Sequence, residues 1–419
     1  MAYGLFTVSH SSKMLNIQRL SFTITTTIAI CLIWTPLTLA KEKKPLPPKE
    51  FPPSPLEITV PDPLLPQGAS QQPLSLEEKR SLEAALDKLN REAIAKLQAG
   101  DTEGAFATWN RELRLRRYLG TLAEIEALKR VGGIAYTRNN RQQIRYITQR
   151  LQVIQKQLEQ QQTPSVQILQ ALGEAYLQVR SPNLAVEAYN QILIIARGNS
   201  DVAAEVETLK TIAKIHLDWF DYPAAATTYE RLLVLVSNNN DVEQSLQDLA
   251  YIYDRTKQPR KAIDARKKLS LIYRQRNDFA KLSALKLAIG ADYEVLAKEN
   301  SNLVDEAFKN YQEAYTMAWD FQQYVRAAEA LQRLVSLYIA EGQTEDALQT
   351  SQILLQAEER AANFYGMMNA YEQIGKIYLQ RQENQSALAA FQKGLELAQQ
   401  LGSETDEFTQ QIEKISGRS

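Results

Sequence analysis

The chain has 419 residues, of which 23% are charged and 44% hydrophobic, and its formal net charge at pH 7 is −1. This composition is typical of a folded soluble protein, and a charge balance so close to zero argues against a nucleic acid as the main partner. The single cysteine, Cys31, excludes a disulfide framework and leaves the redox compartment open.

Residues 1–40 have the features of an export signal. Lys13 and Arg19 precede an uncharged run from Leu20 to Ala40, and no acidic residue lies before it. The alternative is an uncleaved membrane anchor, because 21 uncharged residues in helical form would reach about 31 Å, enough to span a bilayer. Seven of these residues are Ser or Thr, and Pro36 interrupts the end of the run. We therefore favour a cleaved signal peptide.

Residues 41–74 are predicted to be a proline-rich linker. Of the 15 prolines in the chain, 11 lie between Pro36 and Pro73. Proline at this density excludes a helix or a central strand and favours an extended polyproline II spacer. Such a spacer reaches on the order of 100 Å at about 3.1 Å per residue. We expect it to contribute nothing to the core. A ligand for a proline-binding module is the alternative.

Helical signals return at Ser75, which forms a capping box with Glu78. From there to residue 401, helical segments alternate with short breaks rich in Gly, Asn, Asp and Pro. Residues 75–401 are therefore predicted to form one helical domain. Residues 402–419 are predicted to form a C-terminal capping helix and tail, because the end of a helical array needs a polar outer face.

A pattern recurs within this domain, mostly with a step of 40 residues. A small residue is followed three positions later by an aromatic residue in most units, and twelve positions later by an alanine. The small residue is Ala93, Gly133, Gly173, Ala213, Ala250, Gly290, Val335 and Gly375 in the eight successive units. The alanine position holds Ala105, Arg145, Ala185, Ala225, Ala262, Ala307, Ala347 and Ala387. Eight units in register predict an array of stacked helix pairs.

These units resemble tetratricopeptide repeats. The two fullest matches are Leu172, Gly173, Tyr176, Ala185 and Tyr189, and Ile374, Gly375, Tyr378, Ala387 and Phe391. The resemblance implies an all-α fold, a right-handed superhelical solenoid of about eight helix pairs. Unit two departs from the pattern, because Arg145 occupies its alanine position. The 40-residue step also exceeds the usual 34 residues, which indicates longer helices.

No set of residues has the spacing of a catalytic or metal site, so we predict a non-enzymatic protein without cofactor or metal. His216 occupies the tyrosine position of unit four, where we expect a packed, hydrogen-bonded side chain. Two basic clusters, at 111–117 and 260–268, are predicted to be solvated helix faces rather than nucleic-acid sites.

The resemblance implies that the first helix of each unit lines an inner groove. Fixed offsets from the small residue select amides, which can hold a peptide backbone, and cations, which favour a carboxylate. The predicted partner-binding residues are Arg130, Arg138, Gln167, Gln170, Glu174, Gln178, Lys210, Lys214, Gln247 and Tyr251. The same offsets select Asn90, Gln98, Glu207, Gln332 and Ser336. A polar surface without ligand specificity is the alternative, and the family's carboxylate-clamp pattern is not reproduced.

We therefore expect an exported bacterial scaffold or assembly factor whose partners are other proteins or peptides and not nucleic acids. It would act in the periplasm, or in the thylakoid lumen of a photosynthetic bacterium, with a possible inner-membrane tether through its N-terminus. A peptide-sensing regulator is the alternative, which a cytosolic location would favour. An enzyme with an unrecognised carboxylate site is a third hypothesis, which the scarcity of His and Cys disfavours.

Overall fold

The computed structural model describes residues 53–59, 61–66, 72–160, 164–403 and 405–417. Residues Ser54–Ser419 form one compact unit, and its described part contains seventeen α-helices and no strand. The predicted export signal and the first part of the predicted linker lie outside the described residues. Within those residues, no helix combines the length and the apolar character that crossing a membrane requires.

Eight helix pairs follow one another, as the repeat pattern predicts. We call the first helix of each pair the A helix and the second the B helix. The pairs are α1 (Leu76–Gln98) and α2 (Thr102–Arg116), α3 (Thr121–Thr137) and α4 (Arg141–Glu159), α5 (Val166–Gln178) and α6 (Pro182–Gly198), α7 (Val202–Asp218) and α8 (Tyr222–Leu235), α9 (Asn239–Arg255) and α10 (Pro259–Gln275), α11 (Phe279–Ala297) and α12 (Val304–Asp320), α13 (Tyr324–Ala340) and α14 (Thr344–Arg360), and α15 (Phe364–Gln380) and α16 (Asn384–Leu401). A last helix, α17 (Thr405–Ser416), follows them. The all-α solenoid prediction is confirmed.

The same type of short turn recurs between most consecutive helices, both within pairs and between them. Between α3 and α4, Asn139 adopts a left-handed conformation with φ of 53°. The next residue, Asn140, then caps α4 by accepting the backbone N–H of Gln143 at 3.0 Å. Gln322 and Ala362 adopt the same conformation, although neither residue type favours it. The sequence pattern therefore gave no signal for these two turns.

The small residue of the A helix packs under the aromatic residue of the B helix in the same pair. A Cβ atom on Gly173 would lie 2.6 Å from the ring of Tyr189, and one on Gly375 would lie 2.7 Å from the ring of Phe391. Contacts this close leave room only for hydrogen. The pattern that defines the repeat is thus a packing pattern, as the sequence predicts.

We expect the Gly290→Ala substitution to destabilise the protein by about 1–3 kcal/mol. The new Cβ would lie 2.5 Å from the ring of Tyr311, which is fully buried and has little room to move. Gly133→Ala is the matched control, because its Cβ would meet only the end of the Gln178 side chain at 3.1 Å. Replacing a helical glycine without a clash stabilises by up to about 1 kcal/mol. Equal effects of the two substitutions in urea unfolding would contradict this packing account.

The seventh pair departs from the repeat pattern at both the small and the aromatic position, and the two side-chain sizes compensate for each other. In the seventh pair, Val335 occupies the small position, and Ser351 stands at the aromatic position of α14. Both are fully buried, so a larger residue on one helix is matched by a smaller one on the other.

The fifth pair has a buried cation at its aromatic position. Arg266 is 8% exposed and pairs with Asp254 of α9 and with Asp292 of α11. Burial raises the pKa of Asp292 to about 6, although Arg266 beside it acts in the opposite direction. An ion-pair network therefore replaces an aromatic ring at the junction of the fifth and sixth pairs.

Residues 54–59 and 61–66, which we call the N-terminal strap, pack against the first two pairs. The 3-10 turn Pro55–Glu57 contacts α2 and α4, and Leu56 within it is 1% exposed and belongs to the core. Arg114 donates to the main-chain oxygen of Pro55 at 2.8 Å, and Arg117 donates to that of Leu56 at 2.7 Å. The expectation that the proline-rich segment contributes nothing to the core is therefore wrong for the strap.

Ion pairs hold the strap as well. Arg111 binds both carboxylate oxygens of Asp62, at 2.7 and 2.8 Å, and the hydrogen bond from Arg111 lowers the pKa of Asp62. Arg150 of α4 lies 3.6 Å from Glu57. The interpretation of the 111–117 cluster as a solvated face is therefore wrong, because Arg111, Arg114 and Arg117 bind the strap.

At the other end of the array, α17 packs on α16. Phe408 is 1% exposed, and a Cβ on Gly394 would lie 2.2 Å from its ring. This contact repeats the glycine–aromatic packing found within the pairs. The last pair is thereby covered, as stacked repeats require.

Candidate functional site

The A helices form a layer in which neighbouring pairs meet. α3 contacts α5, and α11 contacts α13, across the intervening B helix. The residues that the sequence offsets select all lie on these helices or at their ends. The prediction that they share one helix layer therefore agrees with the structure, and their role in binding stays a prediction.

Two of the predicted cations form ion pairs with neighbouring carboxylates. Arg130 binds the buried Glu112 at 2.7 Å. Lys210 lies 2.8 Å from both Asp241 and Glu207, and hydrogen bonds to these two carboxylates raise its pKa. The ion pairs with Glu112 and Asp241 join different helices, so these charges stabilise the array before any ligand binds.

The other charged residues of the predicted site differ in whether they already have an ion-pair partner. Lys214 pairs with Asp218 at 3.0 Å on the same helix. Glu174 is bound by Lys129 of α3 at 2.6 Å. Arg138 caps the C-terminus of α3 and is exposed. The basic groove predicted for pairs two to four thus contains its own counterions.

The predicted amides are only partly free. Gln247 donates to the hydroxyl of Tyr273 at 2.7 Å, on a B helix. Gln178 lies against Gly133, whereas Gln167 and Gln170 are exposed. Tyr251 is half exposed and lies edge-on to Tyr222, with ring centroids 6.3 Å apart. These residues therefore differ in how free they are to bind a ligand.

The sixth pair differs from its neighbours at the same offsets. Where the third and fourth pairs carry amides and charges, α11 carries Ala284, Leu287, Ala291 and Val295. None of these side chains is buried, and Val295 is 52% exposed. This apolar set is not among the residues predicted from the sequence, although the same offsets, applied to the sixth unit, lead to it.

A groove runs between α11 and α13 along this apolar set. One cavity of about 590 Å³ is lined by Ala284, Leu287, Ala288, Ala291, Glu329, Gln332, Arg333 and Ser336. A second, of about 490 Å³, lies nearer the helix N-termini, between Ala280 and Tyr324. Glu329 lines both cavities, so they are successive parts of one groove. Gln332 and Ser336 are the sequence-selected residues that the structure brings into it.

The groove carries more positive than negative charge. Arg326 donates to the main-chain oxygen of Ala280 at 2.8 Å. The guanidinium of Arg360 lies over the rings of Trp319 and Tyr324, 5.0 and 5.4 Å from their centroids. Among the described residues, no carboxylate lies within 4.0 Å of Arg333. The groove therefore presents an apolar floor and a polar wall with Arg333, while Arg326 and Arg360 are held by main-chain and ring contacts.

His216 is half-buried at its tyrosine position, with Nδ1 3.4 Å from Asp221. Within the ranges that the structure describes, no group of three His, Cys, Asp or Glu side chains is placed to hold a metal ion.

The comparisons with known proteins agree with the repeat register. The model of the tetratricopeptide repeat family matches residues 369–401, which span most of the eighth pair. No curated protein matches the sequence. Among solved structures, BtubC from P. vanneervenii is 17% identical with a TM-score of 0.37, over 54% of this chain and 93% of that one.

Two further solved structures show the same level of likeness. Aspartyl phosphate phosphatase F from Bacillus subtilis is 16% identical with a TM-score of 0.39, over 69% of this chain and 79% of that one. MamA is 19% identical with a TM-score of 0.34, over 46% and 96%. Values this low carry no argument about function. The eight registered helix pairs, their glycine–aromatic contacts and the match at the last pair support a tetratricopeptide-type repeat protein.

Proposed function

We propose that the protein is a non-enzymatic scaffold that holds a segment of a partner protein in the groove between α11 and α13. The observation that carries the proposal is the apolar stripe on α11, which faces solvent while its neighbours are polar. An exposed apolar surface rimmed by polar side chains is characteristic of an interaction site. The basic residues of pairs two to four, which have their own counterions, contribute less to this binding.

The scaffold acts on the extracytoplasmic side of the membrane in this proposal, either released from its signal peptide or tethered by it. The support comes from the N-terminal sequence: the basic leader, the uncharged run and the Thr38–Ala40 segment before Lys41. N-terminal sequencing of the purified protein, combined with cell fractionation, tests this placement. A cytosolic protein that retains residue 1 would contradict it.

Photo-crosslinking tests the groove directly. A photoreactive amino acid at Val295, the exposed residue at the C-terminal end of the apolar set on α11, is expected to join the protein to discrete partner bands in the producing cells. The matched control is the same amino acid at Leu271 of α10, a B-helix residue of similar exposure, 60% against 52%. Identical products from both positions would show that the groove has no preferred partner.

The charge variant Lys214→Glu serves as a second control in the same cells. Its target pairs only within its own helix, so the fold is expected to tolerate the change and partner recovery is expected to stay the same. A loss of crosslinked partner with Lys214→Glu, and not with substitutions in the groove, would contradict the proposal. It would indicate that the partner binds to the basic A helices instead.

A further inference from the structure

The apolar stripe on α11 has the geometry of a helix-packing surface. Ala284, Ala288, Ala291 and Val295 follow one another at spacings of four, three and four residues, so they lie on one face of the helix. The stripe is about 16 Å long at 1.5 Å per residue. Alanine side chains let a second helix approach to about 8 Å between axes. The stripe therefore matches the length of about three helical turns.

The hydrogen-bonding capacity of the groove separates a helical occupant from an extended one. The side chains of the α11 stripe offer no donor or acceptor. On the α13 wall, the Ser336 hydroxyl already donates to the main-chain oxygen of Gln332 at 2.9 Å, and the exposed Gln332 is the one side-chain amide in the lining of the larger cavity. An extended segment would leave backbone N–H and C=O groups unpaired against this floor, at a cost of about 1–3 kcal/mol for each buried group. A helix satisfies its own backbone groups, so the floor favours a helix.

The charge of the groove indicates what the flank of that helix carries. Arg333 lies on the α13 wall and has no ion-pair partner in the described part of the chain. Arg326 and Arg360 are held by main-chain and ring contacts at the other end. A carboxylate on the ligand would complete an ion pair with Arg333 and would fix the register of the bound helix.

We propose that the occupant of the groove is an amphipathic helix of a partner protein. Its apolar face is made of small and aliphatic residues that lie on α11, and its flank carries an acidic residue that faces Arg333. This inference rests on the proposed function, because it names the partner chemistry of the same groove. It excludes an extended peptide held by backbone contacts, the mode to which exposed amides such as Gln170 are suited.

A selection from a displayed library of random 16-residue peptides, made on the purified protein, tests the proposal. The affinity of the selected peptides is measured by fluorescence anisotropy, and their helicity by circular dichroism. We expect Val295→Glu to weaken binding at least about tenfold, because a charge would be placed in the apolar interface. Leu271→Glu, on the exposed face of a B helix, is the matched control and is expected to leave binding unchanged.

Two changes in the peptide then test its conformation and charge. A proline at the centre of the peptide is expected to weaken binding about tenfold or more, because it breaks the helix. Exchange of the acidic residues for lysine is expected to weaken binding to the native protein and to restore it with the Arg333→Glu variant.

The outcomes distinguish this inference from the function on which it rests. Binding that is sensitive to Val295→Glu but tolerates proline would show an extended occupant, which overturns the inference and leaves the groove as the partner site. Binding that needs a helix but ignores the charge exchange would overturn the acidic flank. Selected peptides that are insensitive to Val295→Glu would overturn both the inference and the proposed function.

Discussion

The Arg266→Met substitution is expected to destabilise the protein by about 3–5 kcal/mol, the usual cost of removing one partner from a buried ion pair. Methionine fills much of the space of the arginine stem, so loss of volume contributes little. The cost arises because Asp292, with its side chain 13% exposed, would keep a buried charge without a cation beside it. Chemical unfolding of both proteins, with hydrogen exchange in α10 and α11, measures the effect.

The double variant Arg266→Met/Asp292→Asn is the control for this prediction. Removing the carboxylate together with the arginine removes the uncompensated charge, so we expect much of the lost stability to return. A double variant as unstable as the single one would show that packing at position 266, and not charge, determines the effect.

The pH dependence of the single variant provides a second test. The pKa of Asp292 in the folded protein is raised to about 6, above the value of about 3.9 for an unfolded chain. Between these values the folded state binds the extra proton, so this group stabilises the fold at low pH and loses its contribution as pH rises through 6. Without Arg266 the pKa rises further. The stability of Arg266→Met is therefore expected to recover as pH falls from 7 to 5.

The Leu56→Ala substitution is expected to cost about 2–5 kcal/mol, as for other large core residues, although Leu56 lies in a proline-rich segment that precedes every α-helix. Its side chain is 1% exposed, whereas Ile58, two residues later, is 47% exposed. Ile58→Ala is therefore the matched control, with an expected change within about 0.5 kcal/mol.

Hydrogen exchange locates the effect of Leu56→Ala within the array. Because each repeat contacts mainly its neighbours, destabilisation is expected to be greatest in α2 and α4, and weakest toward the eighth pair. Equal costs for Leu56→Ala and Ile58→Ala, or a loss of protection spread evenly over the chain, would show that the strap is not part of the core.

The repeat register could be predicted because its determinants are local and periodic. Gly173 and Tyr189 stand sixteen residues apart, as do Gly375 and Phe391, and their contact follows from the helix-pair geometry alone. The compensation of Val335 by Ser351 lies in the same register. The turns at Gln322 and Ala362 could not be predicted, since their conformation is imposed by the helices on either side.

The strap could not be predicted because its contacts join positions far apart in sequence. Arg111 and Asp62 are 49 residues apart, and no periodic pattern connects a proline-rich segment to a helix. The sequence predicts only a solvated helix face for the arginines of the 111–117 cluster. Arg111, Arg114 and Arg117 are in fact spaced by three residues, which places them along one side of the helix and the turn that follows it.

The candidate groove could be predicted from the sequence only in part. Its apolar floor on α11 could be read from the sequence, because the repeat offsets lead directly to Ala284, Leu287, Ala291 and Val295. The sequence does not show, however, whether each charged side chain is free to bind a ligand or already forms an ion pair. Whether Lys210 is free or paired depends on Asp241, on the next A helix, and a single sequence does not show which charges meet.

The strap also determines how far an anchored protein can search for a partner. The compact unit that contains the strap begins at Ser54, so in a tethered chain at most thirteen residues of the predicted linker, 41–53, could serve as the spacer. Thirteen residues reach about 40 Å at about 3.1 Å per residue, against about 100 Å for the whole of residues 41–74. Since volume varies as the cube of the radius, the space explored falls by more than about tenfold. In a tethered protein, the effective concentration of partners held near the same tether would rise by a similar factor, so binding at the strap would change the affinity for those partners at a distance from the groove.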